Sequence, residues 1–236
     1  MTEFLQTAKE NLSFLLICLL VFVGLVLVAW LAQHFLVPDR RQISPARRVS
    51  YVAMFSAVAA VLHIIDFPLF FAPSFYKIDF SEISVLICAF YLGPVSGVVC
   101  ELLKIILKLL IKGTSTAFVG DFANFFVGCS MVLPAAIIYH CKKSKKSALI
   151  GLAVGTAVMT VFGSAFNAFY LIPKFSQLFH MPLDAIVSMG TAINPGITSV
   201  STLVLFAVVP FNIVKGVIVS IVTLLLYKRV ERLLRM

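Results

Sequence analysis

The stretch Pro210-Phe-Asn212-Ile-Val-Lys215-Gly216 lies inside a long apolar run near the C-terminus and carries a carboxamide and an ammonium three residues apart. On a helix that spacing puts both on one face. A lysine near the middle of a membrane costs about 2.5–3.5 kcal/mol on insertion scales, so an acid, a water-filled cavity or a polar ligand has to offset it. Glu101 and Asp121 are the acids that the sequence offers as ion-pair partners for Lys215. Two more polar groups sit at the ends of apolar runs: Asn167 in Gly163-Ser-Ala-Phe-Asn167-Ala-Phe-Tyr170, and Asp121 with Asn124 in Gly120-Asp121-Phe-Ala-Asn124-Phe. Amides pair with the N–H and C=O edges of a ring, and Phe or Tyr packs on its faces. Such a set suits a planar, uncharged, hydrogen-bonding solute.

Other chemistries lack their residues. The chain has no GxxxxGK[ST] loop, no HExxH, no GxSxG and no dense acidic cluster. It therefore reads as neither a P-loop ATPase nor a membrane-embedded enzyme. The five cysteines form no CxxC pair and mostly lie in apolar runs, as small buried hydrophobes do. The four histidines are scattered, so no metal site and no cofactor are expected.

The elements that must position these groups are membrane helices. The chain has 236 residues, 61% hydrophobic and only 12% charged, with a mean hydropathy of +1.07. Soluble domains carry about 25% charged residues, and disordered chains are less apolar, so both classes are excluded. Continuous apolar runs, rather than ~10-residue alternation, exclude a transmembrane barrel. Runs at 12–37, 49–65, 81–92, 95–111, 117–140, 148–172 and 201–227 predict seven spans, one ahead of a block of six. The first is too long for a signal peptide and is followed by Arg40 and Arg41, so it reads as a retained span. Residues 1–46 then form an extra transmembrane helix with its linker, and 47–236 form the six-helix domain. The sixth span is expected to end at Pro173, and 174–198 to be an external excursion with one short helix. The Pro- and Phe-rich stretch 66–79 reads as a loop folded against the membrane end of the protein.

Twelve of the 19 basic residues fall in three clusters, after spans one, five and seven, whereas Asp66, Asp79, Glu82, Asp121 and Asp184 fall on the other side. This places the N-terminus outside and the C-terminus in the cytoplasm. The formal charge of +9 is then a topology signal, not a nucleic-acid footprint. Lys104, Lys108 and Lys112 form one helical stripe, with Glu101 one turn before Lys104. This predicts one internal ion pair, with Lys112 reaching outward. Ala53 and Ala57, extended by Ser56 and Ala60, form a small-residue stripe that permits close helix approach. Gly93-xxx-Gly97 and Gly151-xxx-Gly155 show how common such spacing is, so it is read as a weak signal.

From about Arg48 to Arg229 the chain resembles the S components of energy-coupling factor (ECF) vitamin transporters, of the riboflavin-binding RibU type. The resemblance rests on Phe67-Pro-Leu, Lys77-Ile-Asp79-Phe-Ser-Glu82, Phe90-Tyr-Leu-Gly93-Pro94-Val-Ser-Gly97, Gly120-Asp121-Phe-Ala-Asn124-Phe, Val132-Leu-Pro134-Ala, Asn167-Ala-Phe-Tyr-Leu-Ile-Pro173 and Pro210-Phe-Asn212-Ile-Val-Lys215-Gly216. It implies an all-α polytopic membrane protein with a six-helix S-component bundle, here preceded by one extra N-terminal helix. It implies that loop 66–79 lids an outward-facing vitamin site and that Asn167, Asn212 and Lys215 bind the flavin ring. The candidate ligand-binding set adds Asn124, Asp121, Gly120, Phe71, Phe75 and Lys77. The resemblance also implies that the Ala53/Ala57 face docks on the membrane coupling subunit of an ECF module. Two cytosolic ATPases of that module would power release in a bacterial cell membrane. FMN or another vitamin is the alternative ligand, with Lys77 and Lys112 as the cations a phosphate would need. Position 121 is Asp where the family pattern leads one to expect Glu, and the span at 12–37 has no counterpart in that pattern.

Overall fold

A computed structural model describes residues 12–37 and 43–234; Arg40, Arg41 and Arg235 lie outside the described residues. Its long helices are α1 (Leu12–Leu36), α2 (Pro45–Ile64), α3 (Ser81–Leu92), α4 (Pro94–Lys112), α5 (Val119–Cys141) and α6 (Lys145–Phe166). After α6 come a π-helical turn (Asn167–Leu171), α7 (Ile172–Leu178), α8 (Leu183–Thr191) and α9 (Val200–Leu203), then a second π-helical turn (Val204–Val208) and α10 (Val209–Leu233). Five of the resulting helical segments are long and apolar enough to cross a membrane: Leu16–Leu36, Pro45–Ile64, Val119–Cys141, Lys145–Leu178 and Val200–Leu233. Helix α3 is too short, with 12 residues, and α4 carries Glu101, Lys104, Lys108 and Lys112.

Local chemistry sets the boundaries. Ser44 caps α2, accepting from the Arg47 amide, with Pro45 in the first turn. Ser144 caps α6 in the same way through Ser147. Between α3 and α4 the chain reverses at Gly93, whose φ of +107° is strained for any residue with a Cβ, and Pro94 opens the next helix. All 12 residues of α3 are buried, so this helix is the axis around which the others pack. Val52 and Phe55 of α2, Leu86 of α3, Cys100 of α4, Met131 of α5, Leu152 of α6 and Val219 of α10 meet in one core.

Several expectations are corrected here. The helix expected to stop at Pro173 continues to Leu178, because a π-helical turn immediately precedes the proline. The wider turn shifts the hydrogen-bond register and places Pro173 in the first turn of α7, where its missing N–H costs least. The same device precedes Pro210 at the start of α10. The segment 174–198 holds most of α7 and all of α8 rather than one short helix. Loop 66–79 contains a two-stranded antiparallel ribbon, β1 (Phe67–Pro68) with β2 (Lys77–Ile78), pairing Phe67 with Ile78 and Pro68 with Lys77. Ser56 and Ala60 are buried, whereas Ala53 and Ala57 are exposed, so the four residues divide between two faces of α2. The spacing Gly151-xxx-Gly155 marks a real close approach. A Cβ at Gly151 would lie 2.7 Å from the Ala135 carbonyl oxygen, and one at Gly155 would lie 2.5 Å from that of Met131.

Helix α1 packs on α4 and α5, burying Ala29 and setting Phe22 beside Phe125, with ring centroids 6.1 Å apart. Its last turns meet the Gly93 reversal and Cys141: a Cβ at Gly93 would lie 2.8 Å from Gln33 Oε1, and the Cys141 thiol donates to Leu36 O. Tyr51 and Tyr91 both donate to the Leu234 carbonyl at 3.3 Å. One end of the bundle thus gathers Arg47, Arg48, Lys142 to Lys146 and Lys228 to Arg232. Substituting Gly155 with Leu is expected to force α6 away from α5. Thermal unfolding of the detergent-solubilised protein should show a loss of about 1–3 kcal/mol.

Candidate ligand-binding site

Opposite that basic end, the described structure holds a partly open cavity of about 690 Å³. This is within the range of about 300–1,000 Å³ typical of small-molecule sites. Asp79 and Lys215 at its floor begin a chain of alternating charges that runs on behind the cavity wall. Lys215 of α10 donates to Asp79 Oδ2 at 2.9 Å and to Glu82 Oε1 at 3.1 Å. Lys104 of α4 reaches the same Glu82 oxygen at 3.4 Å and Glu101 at 2.5 Å. Ser81 supplies its amide at 3.0 Å and its hydroxyl to Asp79 Oδ1, and the Lys104 ammonium donates to the Ser81 hydroxyl at 3.0 Å. His63, in the last turn of α2, lies 3.4 Å from Asp79 Oδ1. Burial by itself would push the Asp79 carboxyl up, but the Lys215 ammonium and His63 outweigh it and hold that carboxyl well below its usual range.

The partners of Lys215 are therefore Asp79 and Glu82, not Glu101 or Asp121. The reason is geometric. Ribbon β2 and the first turn of α3 deliver both carboxylates to α10, whereas Glu101 is taken by Lys104, and Asp121 by Lys108 at 2.5 Å and Thr114 at 2.7 Å. The stripe on α4 makes two internal ion pairs, not one, through Lys104 and Lys108, while Lys112 reaches outward to pair with Asp66 at 3.7 Å.

Lys215, Asn212, Asn167, Asn124, Asp121, Gly120, Phe75 and Lys77 all line this one cavity. Phe71 does not: its ring packs edge-on against Phe70 and beside the cluster of Ile172, Val208 and Phe211. Asn212 is 5% exposed, and its Nδ2 has no hydrogen-bond partner. Gly163 makes room for that amide, since a Cβ there would lie 3.1 Å from Nδ2. Asn167, the first residue of the π-helical turn, donates from Nδ2 to Gly163 O at 2.8 Å and accepts from the Tyr76 hydroxyl at 2.8 Å. Burial pushes the Tyr76 phenol up, so it remains a donor. Gly120 donates its amide to Thr116 at the mouth, and Asn124 is half-buried on the wall.

Sequence reasoning missed Tyr76 and His63, and it named Asp79 and Glu82 as topology signals and as part of a motif of the resemblance, but not as partners of Lys215. The spacing of the two acids in Lys77-Ile-Asp79-Phe-Ser-Glu82 held the available clue. It also missed the wall formed by Phe175, Phe179, Met181, Ile186 and Met189, residues of or beside α7 and α8.

The fold and cavity define a helical membrane protein with an internal receptor site for a small solute. A family model described as the substrate-specific component of ECF transporters matches residues 47–227, and the chain belongs to that family. It is 36% identical over 189 residues to the riboflavin transporter RibU of Staphylococcus aureus, covering 80% of this chain and 93% of that one. It is 30% identical over 186 residues to the riboflavin transporter FmnP of Bacillus subtilis, covering 78% and 92%. A solved structure of the S component of a bacterial ECF transporter is 36% identical, with a TM-score of 0.64, covering 82% of this chain and all of that one. The chain is thus a transporter component and not an enzyme.

Replacing Asp79 by Ala is expected to leave the buried Lys215 undercompensated. The cost should be about 3 kcal/mol in thermal unfolding, with Asp79→Asn intermediate.

Proposed function

We propose that this chain is the riboflavin-capturing membrane subunit of an ECF-type importer, and that Asn167, Asn212 and Lys215 bind the flavin ring. One observation carries the reading. The Asn212 amide nitrogen is buried and unpartnered at the wall of the cavity, beside an ammonium held by two carboxylates. An unsatisfied buried donor costs about 1–3 kcal/mol, and a ring acceptor restores its bond. Phe75, Phe211 and Phe175 offer faces for the ring, while Asn124 and Gly120 lie on the wall toward the mouth. The names of the relatives from Staphylococcus aureus and Bacillus subtilis support riboflavin as the solute.

The pairing of the outer cations favours the unphosphorylated flavin. Lys108 is committed to Asp121, and Lys77 and Lys112 both face Asp66, at 3.3 and 3.7 Å. A phosphate would have to break these pairs. Competition between riboflavin and FMN separates the two ligands.

The architecture we propose is seven spans: α1 as the extra helix with its linker in 1–46, and a six-helix domain in 47–236. The N-terminus lies outside, and the C-terminus lies in the cytoplasm of a bacterial cell. Loop 66–79 lids the site, with Phe71 bracing it from behind. The exposed Ala53/Ala57 face of α2 docks on the coupling subunit of an ECF module, whose two ATPases drive release. Support comes from the gathering of basic residues at the end away from the cavity, and from a smooth strip where Ala53 and Ala57 alternate with Met54, Val58 and Val61.

Protein purified in mild detergent is expected to carry a yellow flavin, or to quench added riboflavin fluorescence at a 1:1 ratio. A colourless preparation that leaves the fluorescence unchanged would overturn the reading. Asn212→Ala should weaken binding by about tenfold, and Lys215→Ala should also weaken it. Wild-type affinity in both would remove these residues from the site.

A further inference from the structure

Tyr76 of loop 66–79 touches two of the amide-bearing helical segments. Its hydroxyl donates to Asn167 Oδ1 at 2.8 Å, and its ring lies 5.7 Å from that of Phe211, the neighbour of Asn212. The loop holds Tyr76 in place through its amide, which donates to Pro73 O at 2.8 Å, and through the ring of Phe75 at 4.6 Å. A carboxamide can face either way, because its oxygen and nitrogen have nearly the same shape. At Asn167 the Gly163 carbonyl, which can only accept, decides which end is the nitrogen, and the Tyr76 phenol donates to the oxygen and ties down that end. One lone pair and one N–H of that amide remain for a solute.

We infer that Tyr76 is a positioning residue that anchors the oxygen end of the Asn167 carboxamide, so that the closed loop holds that amide still toward the ligand in the donor and acceptor order that Gly163 sets. This rests on the flavin reading above for its affinity test. Without the phenol, Oδ1 loses the bond that fixes its end, and the amide is held only through Gly163. The ring of Tyr76 can keep its packing on Phe211 and Phe75 when the hydroxyl is removed, so Tyr76→Phe separates the anchoring of the amide from the loop's fold.

The test is a double-mutant cycle on the full chain in detergent, with riboflavin as the probe. Tyr76→Phe should weaken binding about three- to tenfold with the unfolding temperature nearly unchanged. In an Asn167→Ala background the same substitution should change nothing further. An equal loss in both backgrounds overturns the inference, because Tyr76 would then act on the ligand or the loop without Asn167. Tighter binding by Tyr76→Phe also overturns it, since the phenol would then be competing with the solute. Absence of binding by the wild type sinks the flavin reading alone, because a ligand-free measurement decides the inference independently. In protein labelled with 15N-asparagine, the side-chain amide pair of Asn167, assigned by its loss in Asn167→Ala, should broaden or shift in Tyr76→Phe. An unchanged pair overturns the inference.

Discussion

Burying charge where water cannot reach it is the constraint on which this structure depends. Five ionisable groups, Asp79, Glu82, Glu101, Lys104 and Lys215, are each at most 5% exposed. None is tolerable alone in an apolar bundle. They persist because each neighbours one of opposite sign, in a chain running from the loop through α10, α3 and α4. Glu101 and Lys104 share α4, but the other links join the loop, α10, α3 and α4, so these elements must hold their mutual register for the chain to close. The short, wholly buried α3 follows from this. It brings Glu82 to the centre and has no side chain that must face lipid.

The receptor site grows out of the same chain. Its floor is rigid because Lys215 is held at two points, and its walls carry two amides, Asn167 bonded once at each end and Asn212 with its nitrogen unpartnered. Both wall amides lie next to π-helical turns that precede a proline: Asn167 opens one, and Asn212 follows the other by a single turn of α10. Such turns depart from the regular i to i−4 ladder and re-aim the side chains near them. The prolines and the amides are thus parts of one arrangement, in which an interrupted backbone directs polar groups inward.

The helical class, the run boundaries at 81–92 and the polar residues of the cavity were legible because apolar runs and isolated polar groups leave strong one-dimensional signals. Lys215, Asn212 and Asn167 were conspicuous for being out of place in hydrocarbon. What stayed hidden was pairing. Nothing in the sequence says that Asp79 and Glu82, more than 130 positions away, meet Lys215. The continuation of the helix past Pro173 was hidden as well, since a π-helical turn has no composition of its own. Tyr76 was hidden because a tyrosine in an aromatic-rich loop looks like packing. Which phenylalanine of the loop faces the cavity was hidden as well: Phe75 lines it, whereas Phe71 packs against Phe70.

The lysines around the mouth carry a last consequence. The protein has a formal charge of +9, yet Lys77, Lys108 and Lys112 each stand against a carboxylate at the entrance. Much of the excess charge lies in basic clusters at the far end of the bundle. At 0.15 M salt a field fades over about 8 Å, far less than the length of a membrane helix. The entrance therefore sees little long-range potential, and a neutral solute has little to gain from one. Capture from dilute surroundings is governed by diffusion and by the time the loop stands open, so its rate should be nearly indifferent to ionic strength.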